Sequence, residues 1–259
     1  MQSAQRLLNA SVLSLVLFVM PQPGLAADEH GSGEAEQLRA IVTNMLDDNT
    51  AFVRSHKADY YKPFIHGQHP RATVVTCSDS RVQTHALDKT PDGDLFMVRN
   101  IGNQIATAEG SVEYGVRHLH TPLLIIVGHV ACGAIQAAQG DYSKESAAIR
   151  RELDTIRLPA RDPKLDADEV WLQGVKANVD NQVTLALKKF DTEVKDGTLT
   201  VIGSVYDFQN AMHQGQGRLV VININGRTDD GSIISALMKM TSTGMRLEQK
   251  PPKKNLAIH

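Results

Sequence analysis

The chain has 259 residues, 42% of them apolar and 22% charged, with a formal net charge of -2 and a pI of about 6.5. This fits one α/β domain large enough to bury a real core. The near-neutral balance gives no electrostatic case for nucleic acid, and the short basic stretch Lys250-Pro251-Pro252-Lys253-Lys254 reads as a solvated end.

The first residues carry a different signal. Arg6, an apolar run from Ser11 to Met20, two prolines and then Gly24-Leu25-Ala26 make a charged, an apolar and a small-residue region in the order of a secretory leader. Cleavage is expected after Ala26, which leaves residues 27–259 as a single mature domain, exported and placed by this reading in a bacterial periplasm. The apolar run is too short to span the ~30 Å hydrocarbon core of a bilayer, and no later segment is long and apolar enough, so no membrane association is expected after cleavage.

Leu38, Ile41, Val42, Met45 and Leu46 recur at helical spacing and predict a helix over 33–55. Ala72 to Thr76 is a β-branched run that reads as a buried strand ending at Cys77, and Leu95 to Val98 reads as a second. Residues 104–120 have a helical pattern, and Pro122 separates them from Leu123-Leu124-Ile125-Ile126-Val127. That run is apolar throughout and suits a central parallel strand covered on both faces. Helices are expected over 131–139, 145–157 and 167–190, strands over 199–206 and 219–224 (the latter at an edge), and a last helix from about Ser232 to Met240. Strands alternating with helices imply a mostly parallel central sheet flanked by helices.

Two short strings hold both cysteines: Cys77-Ser78-Asp79-Ser80-Arg81 and Gly128-His129-Val130-Ala131-Cys132-Gly133. Both fall at carboxyl ends of predicted strands, the edge where open α/β sheets bind ligands. Two thiolates and an imidazole, with a carboxylate close by, form the donor set of a zinc site with one open position. Arg81 is the natural partner of Asp79, because an unpaired buried carboxylate is costly. For an exported chain, a Cys77–Cys132 disulfide in a non-catalytic protein is the competing reading.

The Cys-x-Asp-x-Arg and Gly-His-x-x-Cys-Gly strings together resemble the β-class carbonic anhydrases. Gly67-Gln68, the segment Asp94 to Asn103, and Gly110-Ser111-Val112-Glu113-Tyr114 follow in the family's order. The resemblance implies one zinc per chain on Cys77, His129 and Cys132. It implies that Asp79 either orients the metal-bound water or takes its place, with Arg81 holding Asp79 off the metal. Gln68, Phe96, Ile101, Tyr114 and the backbone at Gly133 match the family's substrate pocket. The implied reaction is reversible hydration of carbon dioxide to bicarbonate and a proton, by hydroxide on zinc, with Asp79 and Arg81 as the catalytic pair. The implied assembly is a homodimer or a higher even oligomer, with part of each pocket coming from the partner subunit. Val130 stands where the family commonly has Ser, and Gln68 matches the subgroup whose zinc is open to water. Hydrolysis of CS₂ or COS on the same fold is the nearest other chemistry. His66 and His69 read as members of a solvated loop, and His118 and His120 as a helix end.

Overall fold

The computed structural model describes residues 29–242. The expected leader 1–26 and the basic stretch 250–254 lie outside the described residues. The described residues fall into two units, one ending at Tyr61 and the other beginning at Lys62.

The first unit contains α1 (Glu29–Ser55) and α2 (Ala58–Tyr61). The predicted stripe Leu38, Ile41, Val42, Met45 and Leu46 runs along α1 and is exposed. Between the helices, the His56 ring stacks on Phe52 at 3.9 Å and closes the turn.

In the second unit, β1 (Ala72–Cys77), β2 (Leu95–Asn100), β3 (Leu123–His129), β4 (Thr200–Asp207) and β5 (Arg218–Ile224) form one sheet in the order β2-β1-β3-β4-β5. The first four strands are mutually parallel; β5 lies at the edge, where its sequence placed it, and runs antiparallel, a direction the sequence did not indicate. Every residue of β1 is buried, and so are Leu124, Ile126 and Val127 of β3, because both faces of the sheet are covered. The chain lays β2 on one side of β1 and then crosses to place β3 on the other. This reversal opens a crevice between the carboxyl ends of β1 and β3.

The helices are α3 (Glu109–Glu113), α4 (Gly133–Ala138), α5 (Ala147–Leu153), α6 (Ala167–Lys189), α7 (Asp191–Lys195) and α8 (Asp230–Ser242). The longest of them, α6, starts with a capping box. Asp166 accepts from the Glu169 N–H at 2.8 Å, and Glu169 accepts from the Asp166 N–H at 2.9 Å. Its face of Val175, Val179, Val183 and Ala186 is fully buried and packs on β3 and β4. Gly128 and Gly203 permit this close approach, since a Cβ on either would meet a Val179 methyl at 2.6 or 2.8 Å.

One predicted element is not continuous. The helix expected over 104–120 is a 3-10 turn (Ala106–Ala108), then α3, then a π-helical turn (Tyr114–His118). The cause lies at Gly115, where a Cβ would stand 2.9 Å from the Phe96 ring and 3.0 Å from the Thr73 methyl. The backbone lies flat on the sheet there, and the wider π turn accommodates the contact. Thr121 secures the exit by donating to the Gly115 carbonyl at 3.1 Å.

Candidate metal centre

Cys77 ends β1 and His129 ends the adjacent β3, so the crevice brings them together. The turn after His129 delivers Cys132, which sits just before α4. Ala131, at φ +52°, takes the left-handed conformation that makes this turn so tight. The two sulfur atoms and a ring nitrogen all lie within 4.8 Å of one another. All three side chains are buried and both cysteines are free thiols.

The donors are prepared for a cation. His129 Nδ1 faces the Val130 carbonyl at 2.8 Å, and since a carbonyl can only accept, Nδ1 must carry the proton. That leaves the Nε2 lone pair inside the cluster, where Nε2 is buried and makes no hydrogen bond. An orphaned imidazole nitrogen beside two thiols is costly unless something binds it, and a soft divalent ion such as zinc fits that donor set. The neighbouring Cys132 thiol and the backbone N–H groups of Gly102 and Asp79 pull the Cys77 thiol well below its ordinary value. Sharing with Cys77 and burial push Cys132 the other way, so one of the two is already poised to lose its proton.

Asp79 stands at the mouth, its Oδ2 3.7 Å from His129 Nε2. Arg81 grips it from outside. The Arg81 Nε donates to Oδ1 at 2.9 Å, Nη2 to Oδ2 at 2.7 Å, and the Arg81 backbone N–H to Oδ1 at 2.9 Å. This fork holds the Asp79 carboxyl well below the usual carboxylate range. Arg81 Nη2 also donates to the Ala131 carbonyl at 3.0 Å, which ties the two sequence strings to each other.

Two further residues were not legible as site residues. Arg99 Nε donates to the Cys77 carbonyl and its Nη2 to the carbonyls of Asp79 and Val82, so one guanidinium pins the whole Cys77–Val82 loop. Trp171 of α6 donates from Nε1 to the Cys132 carbonyl at 2.8 Å. The sequence signal for the first is its place near the end of a strand within the Asp94–Asn103 segment, and for the second a lone tryptophan on a helix.

The predicted pocket residues divide into two groups. Ile101 directly follows Asn100, which pairs with Cys77, and Gly133 follows Cys132 with nothing within 4 Å of where its Cβ would be. These two belong to the metal end. Phe96 pairs with Thr73 at the opposite half of β1, and its ring lies 5.8 Å from that of Tyr114. Gln68 lines a cavity of about 970 Å³ with Arg71, Asp94 and Pro122, residues that precede β1, β2 and β3. Within one chain, therefore, Gln68, Phe96 and Tyr114 lie toward the amino edge of the sheet, away from Cys77, His129 and Cys132.

A family model described as carbonic anhydrase matches residues 72–213, which include both strings. Carbonic anhydrase 2 of Mycobacterium tuberculosis is 30% identical over 167 residues, covering 60% of this chain and 79% of that protein. The carbonic anhydrase of Synechococcus elongatus is 34% identical over 106 residues, covering 38% of this chain, which thus spans only 39% of that relative. Among solved structures, tetrameric β-carbonic anhydrases of the ascomycete Sordaria macrospora share the fold at a TM-score of 0.60 and 23% identity, over 71% of this chain and 98% of theirs. The sheet, the cysteine and histidine placement and these matches agree: the chain belongs to the carbonic anhydrase family, in its β class.

Proposed function

We propose that this chain catalyses the zinc-dependent, reversible hydration of carbon dioxide to bicarbonate and a proton. The observation that carries the proposal is the convergence of Cys77, His129 and Cys132 within 4.8 Å, with the Arg81-bound Asp79 carboxylate at their mouth. Cys77, His129 and Cys132 would hold the metal. When bound, zinc supplies a Lewis acid that brings the pKa of a coordinated water to about 7.

The chain's own residues do the rest. Because the Arg81 fork keeps Asp79 ionised, Asp79 accepts a hydrogen bond and does not carry the proton away; it orients an oxygen toward the substrate. Arg81 fixes that direction and keeps Asp79 turned from the metal position. His129, fully buried, is a ligand and not a shuttle to solvent. Ile101 supplies an apolar wall for a nonpolar substrate, and the open backbone at Gly133 leaves room beside Cys132.

The active unit we propose is an even oligomer. Gln68, Phe96 and Tyr114 lie toward the other edge of the sheet, so a second copy would have to bring them to this centre. The exposed apolar stripe on α1 supports association, and the tetrameric relatives from Sordaria macrospora are compatible with it. The leader-like residues 1–26 support export, and release of a shortened chain from the periplasm would test it.

The decisive test is stopped-flow hydration of carbon dioxide on metal-analysed protein near pH 8. Turnover at one zinc per chain, lost together with zinc in Cys77→Ala, is the expected result. Zinc-loaded protein without turnover would sink the proposal.

A further inference from the structure

Strand β4 ends at Asp207, whose side chain is completely buried although nothing in the reaction above requires it. Its Oδ1 accepts from the backbone N–H groups of Gln209 at 3.1 Å and Ala211 at 3.0 Å, and its Oδ2 from that of Met212 at 2.7 Å. The Asp207 carbonyl accepts from the Gly217 N–H at 2.7 Å. A buried carboxylate satisfied in this way fixes the path of the following loop, because every donor it binds belongs to that loop.

The residue given direction by this lock is Phe208. Its ring meets that of Tyr206 in a T-shaped contact, centroids 5.8 Å apart. The metal ligand His129 stacks beside it, centroids 6.2 Å apart and planes at 26°. The Arg81 guanidinium carbon lies 4.9 Å over its centroid. A single ring therefore touches both a ligand and the arginine that governs Asp79.

We infer that Phe208, fixed by Asp207, is a positioning residue that holds the Arg81 guanidinium against the Asp79 carboxylate. This rests on the reading of Asp79 and Arg81 as the orienting pair. The Arg81 side chain is 48% exposed, and its ion pair spans only two residues in a turn. Such a pair is free to open toward water unless something occupies the other side of the guanidinium. The negative face of an aromatic ring does so while excluding water and leaving the in-plane N–H groups free to donate to Asp79 and to the Ala131 carbonyl.

The test uses full-length zinc-loaded protein and four variants: Phe208→Leu, Phe208→Tyr, Arg81→Ala and the double variant Phe208→Leu/Arg81→Ala. Phe208→Leu should keep one zinc per chain and lose about fivefold in kcat/KM for carbon dioxide, the scale of a cation–π contact, and Phe208→Tyr should recover it. In an Arg81→Ala background, Phe208→Leu should cost nothing further. An equal loss in both backgrounds would overturn the positioning role while leaving the Asp79–Arg81 reading intact. Full activity in Arg81→Ala alone would overturn the reading and, with it, the inference. A measurement on the unaltered protein guards against a variant that does not fold. The Arg81 Nε–H resonance should be shifted upfield by the ring and protected from exchange with water. An unshifted, rapidly exchanging signal would overturn the inference without any substitution.

Discussion

Trp171 donates its indole N–H to the carbonyl of Cys132 at 2.8 Å and so couples the long helix α6 to the Cys77–His129–Cys132 cluster. The bond fixes the backbone from which the Cys132 sulfur projects, and outer partners of this kind commonly set metal affinity. Trp171→Phe keeps the aromatic bulk but removes the donor. It should weaken zinc binding about tenfold, measured by competition with a chromophoric chelator, and so remove about 1.4 kcal/mol of the zinc-linked stability at a fixed zinc concentration. Unaltered affinity would reduce Trp171 to packing.

Trp171 is also the chain's single tryptophan, so its emission reports the metal centre directly. Removing zinc should shift that emission, release two thiols to a thiol reagent and lower the melting temperature. Zinc bound a thousandfold above its dissociation constant stabilises by about 4 kcal/mol. Cys77 and Cys132, free and adjacent, should then be open to oxidation to a disulfide, which would block re-entry of zinc until reduced. Thiols that remain unreactive after chelation would show that the cluster does not depend on the ion.

The sheet and the clustering of Cys77, His129 and Cys132 were legible because both are written locally. Continuous apolar runs such as Leu123 to Val127 mark strands covered on two faces, and both cysteine strings sit where such runs stop. The break in the helix expected over 104–120 was not legible, since it depends on Gly115 lying flat on Thr73 and Phe96, residues distant in sequence. Arg99, Trp171 and Phe208 act on the centre only through tertiary contacts, and no spacing rule in one sequence points to those contacts. The separation of Gln68, Phe96 and Tyr114 from the ligands is a matter of which end of a strand each residue occupies.

Arg99 offers a test of how much the loop itself needs. Its part-buried guanidinium reaches three carbonyls, those of Cys77, Asp79 and Val82, in directions that a single ammonium cannot match. Hydrogen bonds to charged groups contribute about 1.5–3 kcal/mol each. Arg99→Lys should therefore destabilise the fold by about 2–4 kcal/mol, read from urea unfolding, and should weaken zinc retention as well. Destabilisation with normal zinc affinity would mean that the loop holds Cys77 without this residue.

The contact between α6 and the sheet predicts a compensating pair. A methyl added at Gly203 would stand 2.8 Å from Val179 and 2.9 Å from Val183. Gly203→Ala should therefore cost about 1–3 kcal/mol through overpacking. Val179→Ala removes the nearer methyl groups and leaves a cavity when made alone. Combined, the two should be less damaging than the sum of their separate effects, as expected for residues in direct contact. Additive losses would show that α6 moves away instead of repacking.

Asp180, half-buried on α6, is held by Asn223, whose Nδ2 donates to Oδ1 at 2.8 Å. Burial raises its pKa, opposed by the Asn223 hydrogen bond and by Lys176. The folded chain therefore binds this proton more tightly than the unfolded chain does. The stabilisation from that proton is complete below the ordinary carboxylate range and is lost as the pH rises through the raised value. At neutral pH the charged Asp180 is a small liability. Asp180→Asn keeps an acceptor for Asn223 and removes the charge. It should be more stable than the parent at pH 7 by less than about 1 kcal/mol, the scale of partly exposed charge interactions. The gap should close as the pH falls to about 4, near the unperturbed aspartate value. Urea unfolding of both proteins at pH 7 and pH 4 measures it, and a gap that does not change with pH would show that ionising Asp180 costs the fold nothing.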